Sequence, residues 1–253
     1  MKTSKYATAL GVIAISTLAL FSAGCQKKSE SVGASAADVE VIQAKVAAAE
    51  GAKKQFCEPE ACTDFDLQTV KTNQAWIDDY FLKRLQRDLP TAFGQDKGQE
   101  TTAVAQKINN QSIAYVRFVG QNNQLATFQL QTYTYAAGAA HGMQHSEYVN
   151  FDLKKKKRLA LSDILKANVE KKLLEQLYQA NSAWLKQHNI TPDKLQLSDN
   201  YYYGANGIVF VYPLYELASY AEGLTELNLD YRDAQAFVQA EYLPSLPHYQ
   251  KTA

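Results

Sequence analysis

The spacing of apolar residues changes along the chain, and each change marks a different kind of element. From Trp76 to Leu89 the apolar positions Trp76, Ile77, Tyr80, Phe81, Leu82, Leu85 and Leu89 recur every three to four residues. That period predicts a helix with Asn73 as its N-cap and Pro90 as its stop. Just before it, Phe65, Leu67 and Thr69 alternate with polar residues and predict a strand. Earlier still, Asp38 to Lys54 is alanine-rich with Val39, Val41, Ile42, Val46 and Ala49, and reads as a short helix. Thr91 to Asn110 is polar and reads as a loop holding at most one helical turn.

The period then falls to two. Ile113, Tyr115 and Phe118 and the alternating residues of Leu125 to Tyr135 predict two strands joined at Asn122-Asn123, a hairpin signal. His145 to Leu153 predicts a further strand, Lys154 to Lys157 its turn and Arg158 to Leu161 its partner, with a short helical turn at Ser162-Asp163. Val169 to Leu185 reads as one long amphipathic helix, its inner side formed by Leu173, Leu174, Leu177, Tyr178, Ala180 and Trp184. Tyr201 to Tyr203, the turn from Gly204 to Gly207, and Ile208 to Tyr212 predict a second hairpin. Leu224 to Leu229 predicts a last strand, followed by a terminal helix from Tyr231 to Tyr242. Strands, helices and hairpins in this order, without regular βαβ alternation, predict an α+β fold: a mainly antiparallel sheet packed with two or three helices.

The N-terminal segment follows a different rule. Lys2 and Lys5 precede an uncharged stretch from Tyr6 to Ala23, which ends Ser22-Ala23-Gly24-Cys25. The layout resembles a bacterial lipoprotein signal, a basic start and an apolar middle with small residues before a cysteine. The resemblance implies cleavage after residue 24 and acylation of Cys25; Ser22 stands where such signals commonly carry leucine. The alternative of an uncut anchor needs ~20 strongly apolar residues, and Thr8, Gly11, Ser16, Thr17 and Ser22 dilute this stretch. Gln26 after the cysteine, where retained lipoproteins carry aspartate, implies the outer membrane. The expected organisation is a signal peptide over 1–24, a tether with a short helix over 25–55, and one α+β domain over 56–253. Lipid on Cys25 would hold that domain at the cell envelope, since acyl chains contribute ~0.8 kcal/mol per buried methylene.

Charge and cysteines narrow the picture further. Removing Lys2 and Lys5 leaves 24 basic residues against 26 acidic ones, a net of −2. A nucleic-acid binder needs a basic face, so nucleic acid is not an expected partner. Cys57 and Cys62 flank Glu58-Pro59-Glu60-Ala61 and, in an exported chain, read as a local disulfide. A redox pair or half a metal site is the alternative, and it lacks a second ligand pair. Charge is segregated: residues 213–247 carry six acids and one base, while 153–188 carry nine bases and three acids. An acidic surface steers cationic partners, although solvated faces of ordinary elements are the plainer explanation of such runs.

Two stretches are distinctive. One is Tyr133-Thr134-Tyr135-Ala136-Ala137-Gly138-Ala139-Ala140-His141-Gly142, followed by Tyr148 to Leu153 and by Leu159-Ala160-Leu161-Ser162-Asp163-Ile164-Leu165. The other is Gly207 to Glu216, followed by Ser219-Tyr220-Ala221-Glu222-Gly223. Together they resemble the extracytoplasmic domain of RsiV-like anti-sigma factors, which bind lysozyme, and the domain preceding the catalytic one in the PdaC peptidoglycan deacetylase. The resemblance spans residues 64–243; Ala137 and Met143 depart from its pattern. It implies a binding module, here a stand-alone lipoprotein without the sigma-binding segment or the deacetylase domain. The expected ligand is a lysozyme-like hydrolase or peptidoglycan. A structural lipoprotein docking on another envelope protein, and a cell-wall hydrolase working through His141, are the other two readings.

Candidate contacts concentrate in the first stretch. His141 lies in a glycine- and alanine-rich loop that lets a partner approach the backbone. With Gly142, Tyr133, Tyr135 and Tyr202 it forms the candidate ligand-contact set. A structural loop histidine is the plainer alternative for His141. His141, His145 and Glu147 would share a metal only on a helix; in a strand, positions four apart are separated by ~13 Å. No metal, cofactor or catalytic residue is therefore expected. Lys154 to Arg158 reads as a solvated hairpin tip, with attraction to anionic lipid as the sharper option. Tyr201-Tyr202-Tyr203 must divide its rings between two strand faces; an exposed ring suits glycan or protein contact, and a half-buried sheet face explains the run equally well. The chain contains no G-x-S-x-G, H-E-x-x-H, P-loop or dinucleotide fingerprint.

Overall fold

The alternation between Gln111 and Leu153 becomes the middle of a seven-stranded sheet. The structure is a computed structural model that describes residues 39–58, 61–94 and 109–244. The leader, Cys25, the tether through Ser35 and residues 95–108 lie outside the described residues. The strands are β1 (Ala44–Ala48), β2 (Gln55–Cys57), β3 (Cys62–Thr72), β4 (Asn109–Asn122), β5 (Leu125–Tyr135), β6 (Met143–Asp152) and β7 (Lys157–Leu159). They pair in the order β1-β3-β4-β5-β6-β7, with β2 also on β3. Every pairing is antiparallel except β3 with β4. That parallel step requires a crossover, which α1 (Ala75–Asp88) and α2 (Pro90–Phe93) help to form.

Helix α1 buries Ile77, Phe81 and Leu85 on one face of this sheet. There they meet Leu67, Ala114, Val116, Phe128, Leu130, Val149 and Phe151 in a first core. Phe81, Phe128 and Phe151 pack with ring centroids 5.2–5.9 Å apart, mostly edge to face, the arrangement that ring quadrupoles favour.

A second core forms on the opposite face. Its elements are α3 (Leu161–Ile164), α4 (Glu170–Ala180), α5 (Ser182–Gln187) and α6 (Tyr231–Ala234), with a three-stranded sheet ordered β10-β9-β8. In that sheet β8 is Tyr201–Tyr203, β9 Gly207–Tyr212 and β10 Thr225–Asp230. Leu173, Leu177 and Leu185 pack there with Ile208, Phe210, Tyr212, Leu227 and Leu229, and the first sheet contributes Leu125 and Leu159. Because strand side chains alternate, Leu125 and Thr127 point away from Ala126 and Phe128. The second core therefore covers one end of this face and leaves the other end open.

Two asparagines join the two sheets. Asn150, only 2% exposed, accepts from Thr127 Oγ1 and donates to the Tyr201 carbonyl, both at 2.7 Å. Asn200 accepts from the Tyr148 N–H and donates to the Ser146 carbonyl, both at 2.8 Å. Its carboxamide thus occupies the edge of β6 as a neighbouring strand would, in the stretch before β7 begins to pair.

Several sequence expectations are corrected. The alanine-rich stretch after Asp38 contains strand β1, because its register opposite β3 sets Val46 against Val70; tertiary pairing overrides alanine's helix propensity. Asn73 does not cap α1: its carboxamide accepts from the Gln43 N–H and donates to the Val41 carbonyl, tying β1 to the helix entry. The helix expected over Val169 to Leu185 is two helices. Asn181 interrupts it by donating to the Leu177 and Asn228 carbonyls and accepting from the Asn228 N–H. The terminal helix is a single turn, α6, since the next residues bond sideways: Lys166 N–H to Phe237 O, and Gln239 N–H to Ile164 O. The expected α+β fold with a mainly antiparallel sheet holds; among the described residues it carries six α-helical segments, three of them only one turn long. The Cys57–Cys62 disulfide is closed and bridges directly opposed residues of β2 and β3.

Candidate functional site

The open end of the sheet's second face is built from register. Asp66, Ile113, Tyr133 and Gln144 align across β3, β4, β5 and β6, and the next row is Gln68, Tyr115, Gln131 and Ser146. Arg117, Gln129 and Tyr148 form a third row. The result is a surface of phenol rings and carboxamides. Its polar pairs are internal. Tyr115 donates to Asp66, and that bond holds the Tyr115 phenol above its ordinary pKa. Arg117 donates to Gln68 at 2.6 Å and lies over the Tyr115 ring, 4.8 Å from its centroid. Gln129 donates to the Tyr148 hydroxyl at 3.2 Å.

Aromatic pairs border the surface on two sides. Tyr148 stacks on Tyr202 at 4.3 Å, and the Tyr202 hydroxyl donates to Glu226 at 3.1 Å. Burial, then the charge of Glu226, pushes both phenols upward in pKa. On the other side His141 stacks on Tyr220 at 4.2 Å, and Tyr215 lies 5.8 Å beyond Tyr220. The Gly142 carbonyl accepts from the Tyr220 hydroxyl and faces His141 Nδ1, each at 3.0 Å. Nδ1 must carry hydrogen to make that bond. Gly142 lies against the end of the Tyr133 ring, so closely that a Cβ there would stand 2.2 Å from it.

The second border is fastened from α5. Ser219 N–H and Oγ bond Glu222, and Glu222 Oε2 meets His188 Nε2 at 2.6 Å. His188 stacks on Trp184 and points Nδ1 at its carbonyl, 2.9 Å away. With acceptors at both ring nitrogens, the doubly protonated imidazole satisfies both. The Trp184 carbonyl and Glu222 accordingly raise the His188 pKa.

Of the predicted contacts, His141, Gly142 and Tyr133 are brought together, Tyr135 shares their face two residues along β5, and Tyr202 stands at the opposite border. Tyr115, Tyr148, Tyr215 and Tyr220 were missed as site residues. For Tyr115 and Tyr148 the signal was there: both fall on the Gln129-Gln131-Tyr133 side once strands are aligned by two-residue period. Glu147 is not a partner of the histidines, because Arg84 of α1 grips it at 2.6 and 3.0 Å. Among the described residues no group of three His, Cys, Asp or Glu side chains converges as metal ligands. The basic hairpin tip is largely neutralised: Lys155 pairs with Glu241, Lys157 with Asp163, and Arg158 lies 3.6 Å from Glu147. A separate cavity of about 360 Å³ lies between the β4–β5 and β8–β9 turns, lined by Gly120, Tyr203, Gly204 and Tyr231, away from these contacts.

Residues 152–232 match a family model. That family is DUF3298, described as a protein of unknown function. The DUF3298 match runs from the end of β6 into the start of α6, and so contains the Tyr202 and Tyr220 borders. Two crystal structures of DUF3298 proteins share the architecture. One, from Pseudomonas aeruginosa PAO1, has a TM-score of 0.60 at 21% identity, covering 83% of this chain and 99% of that one. The other, from Bacteroides fragilis NCTC 9343, has a TM-score of 0.55 at 14% identity, covering 80% and 96%. These likenesses establish the fold. No curated protein matches the chain.

Proposed function

We propose that this chain is a non-enzymatic binding lipoprotein of the cell envelope that applies its open tyrosine-and-amide face to peptidoglycan. One observation carries the reading: one end of the sheet's second face is left uncovered by the second core yet is bordered by stacked rings. Its two charged side chains, Asp66 and Arg117, are hydrogen-bonded to Tyr115 and Gln68, and the rest of the face is phenols and carboxamides, so it offers shape and neutral hydrogen bonds more than a field for a cationic partner. This favours peptidoglycan over a lysozyme-like hydrolase, the two ligands that the RsiV-like resemblance implies. Glu222, Glu226 and Glu241 of the acidic segment are engaged by His188, Tyr202 and Lys155, which weakens the steering argument further. Phenols held above their ordinary pKa and carboxamides bind well and shuttle protons poorly near neutral pH, in keeping with a module that does not cut. The closed disulfide and the lipoprotein-like leader support an oxidising envelope compartment, with the lipid on Cys25 facing the outer membrane.

The test is cosedimentation with purified sacculi. The protein is expected to pellet with them while releasing no soluble muropeptide. Wild-type protein remaining in the supernatant, or solubilised fragments appearing over time, would reject the reading.

A further inference from the structure

We propose that the groove between Tyr115 and Tyr133 is a subsite for one neutral sugar ring. The groove has a volume of about 190 Å³ and is lined by Ile113, Tyr115, Gln131, Tyr133 and Gln144. A hydroxyl-rich ring needs two things of a site: apolar faces for its C–H surfaces, and uncharged groups that both donate and accept at its edges. Tyr115, Tyr133 and Ile113 supply the first. The carboxamides of Gln131 and Gln144 supply the second, and they and the Tyr133 hydroxyl have no hydrogen-bond partner among the described residues. A carboxamide offers two donors and a carbonyl acceptor, which matches vicinal hydroxyls or an N-acetyl group.

Charge selects against ionic ligands. Asp66 is engaged by Tyr115 and Gln68, and Arg117 by Gln68 and the Tyr115 face. Both are thus already hydrogen-bonded within the sheet, and the groove's own lining carries no charged side chain to pair with a carboxylate, phosphate or amine. Gly142 lies directly against the end of the Tyr133 ring, which places that wall beside the groove before a ligand arrives and lowers the ordering left to induce. The assignment deepens the peptidoglycan reading, on which it rests, by naming the glycan backbone and not the peptide stem as what the groove holds.

Calorimetric titration with chitotetraose, maltotetraose and tetragalacturonate tests it. A neutral tetrasaccharide is expected to saturate the protein, and the acidic one to bind at least about tenfold more weakly. Tyr133→Ala and Gln131→Ala should each weaken binding roughly tenfold. Tyr115→Phe should retain it, because the Tyr115 hydroxyl is spent on Asp66 and only its ring faces the groove. Gln144→Ala, on the exposed side of β6, tests the same groove should a β5 variant fold poorly. Absence of saturation by both neutral sugars, or affinity unchanged in all the alanine variants, would overturn the subsite. The two readings fail differently. Sacculi retained by wild-type protein that binds no tetrasaccharide would remove the groove alone. Tetrasaccharide binding without sacculus retention would remove the peptidoglycan reading and keep the groove.

Discussion

Gly142 and Gly207 show how one added methyl group has opposite consequences in two settings. A Cβ on Gly207 would stand 2.3 Å from the Leu229 carbonyl oxygen. That oxygen belongs to β10, paired with β9 along six residues, and neither strand can retreat without breaking the ladder. Gly207→Ala is expected to destabilise the fold by roughly 1–3 kcal/mol, read as a lower urea midpoint. At Gly142 the obstacle is the free end of the Tyr133 side chain, which can swing away. Gly142→Ala should leave the urea midpoint close to wild type while displacing the ring and weakening sacculus binding. A large loss of stability with binding intact would contradict this assignment.

Asn200 does at the scale of elements what no repeat of the pattern announces: one side chain replaces a strand along the β6 edge. Asn200→Ala leaves the Tyr148 N–H and Ser146 carbonyl unpaired where water is partly excluded. The expected destabilisation is about 1–3 kcal/mol, together with faster hydrogen exchange at the Tyr148 amide. By contrast the β2–β3 staple closes a very short loop. Replacing Cys57 and Cys62 with serine should lower stability by no more than about 2 kcal/mol, measured by denaturant titration. The same contrast explains what was legible in the sequence. Strands β3 to β6 and the β8–β9 hairpin could be read, because a two-residue period fixes both element and face. The break at Asn181 and the early end of α6 could not, since Asn228 and the 164–166 segment, which dictate them, are distant in the chain. The site was half legible for the same reason. Tyr133, His141 and Gly142 lie in one distinctive stretch, whereas Tyr115 and Tyr220 join them only through pairing and folding.

Across the whole molecule, the His188–Glu222 contact ties the second core to the ring that covers His141. His188 has its pKa raised by the Trp184 carbonyl and by Glu222. Its contribution is complete below the unfolded value of ~6.5 and fades as pH rises through the higher folded one. Glu222 is lowered from 4.5, first by His188 and then by Ser219, so its contribution is present above that value and fades as pH falls through the folded one. The tie should therefore be firmest between about pH 4.5 and 6.5. Thermal melts of wild type and His188→Gln should diverge in that window and draw together as pH rises above it; a gap independent of pH would refute the pairing. The lone parallel step in the large sheet has a further consequence, for assembly. Tyr115 meets Asp66 across 49 residues, whereas β4 to β7 follow one another by short turns and can zip up from neighbours. Long loop closures are slow, so the meander is expected first and β3 last. During that interval β4 exposes a bare row of amides and carbonyls beside finished tyrosines, and a second nascent copy could pair there before β3 arrives. Refolding yield should accordingly fall as protein concentration rises.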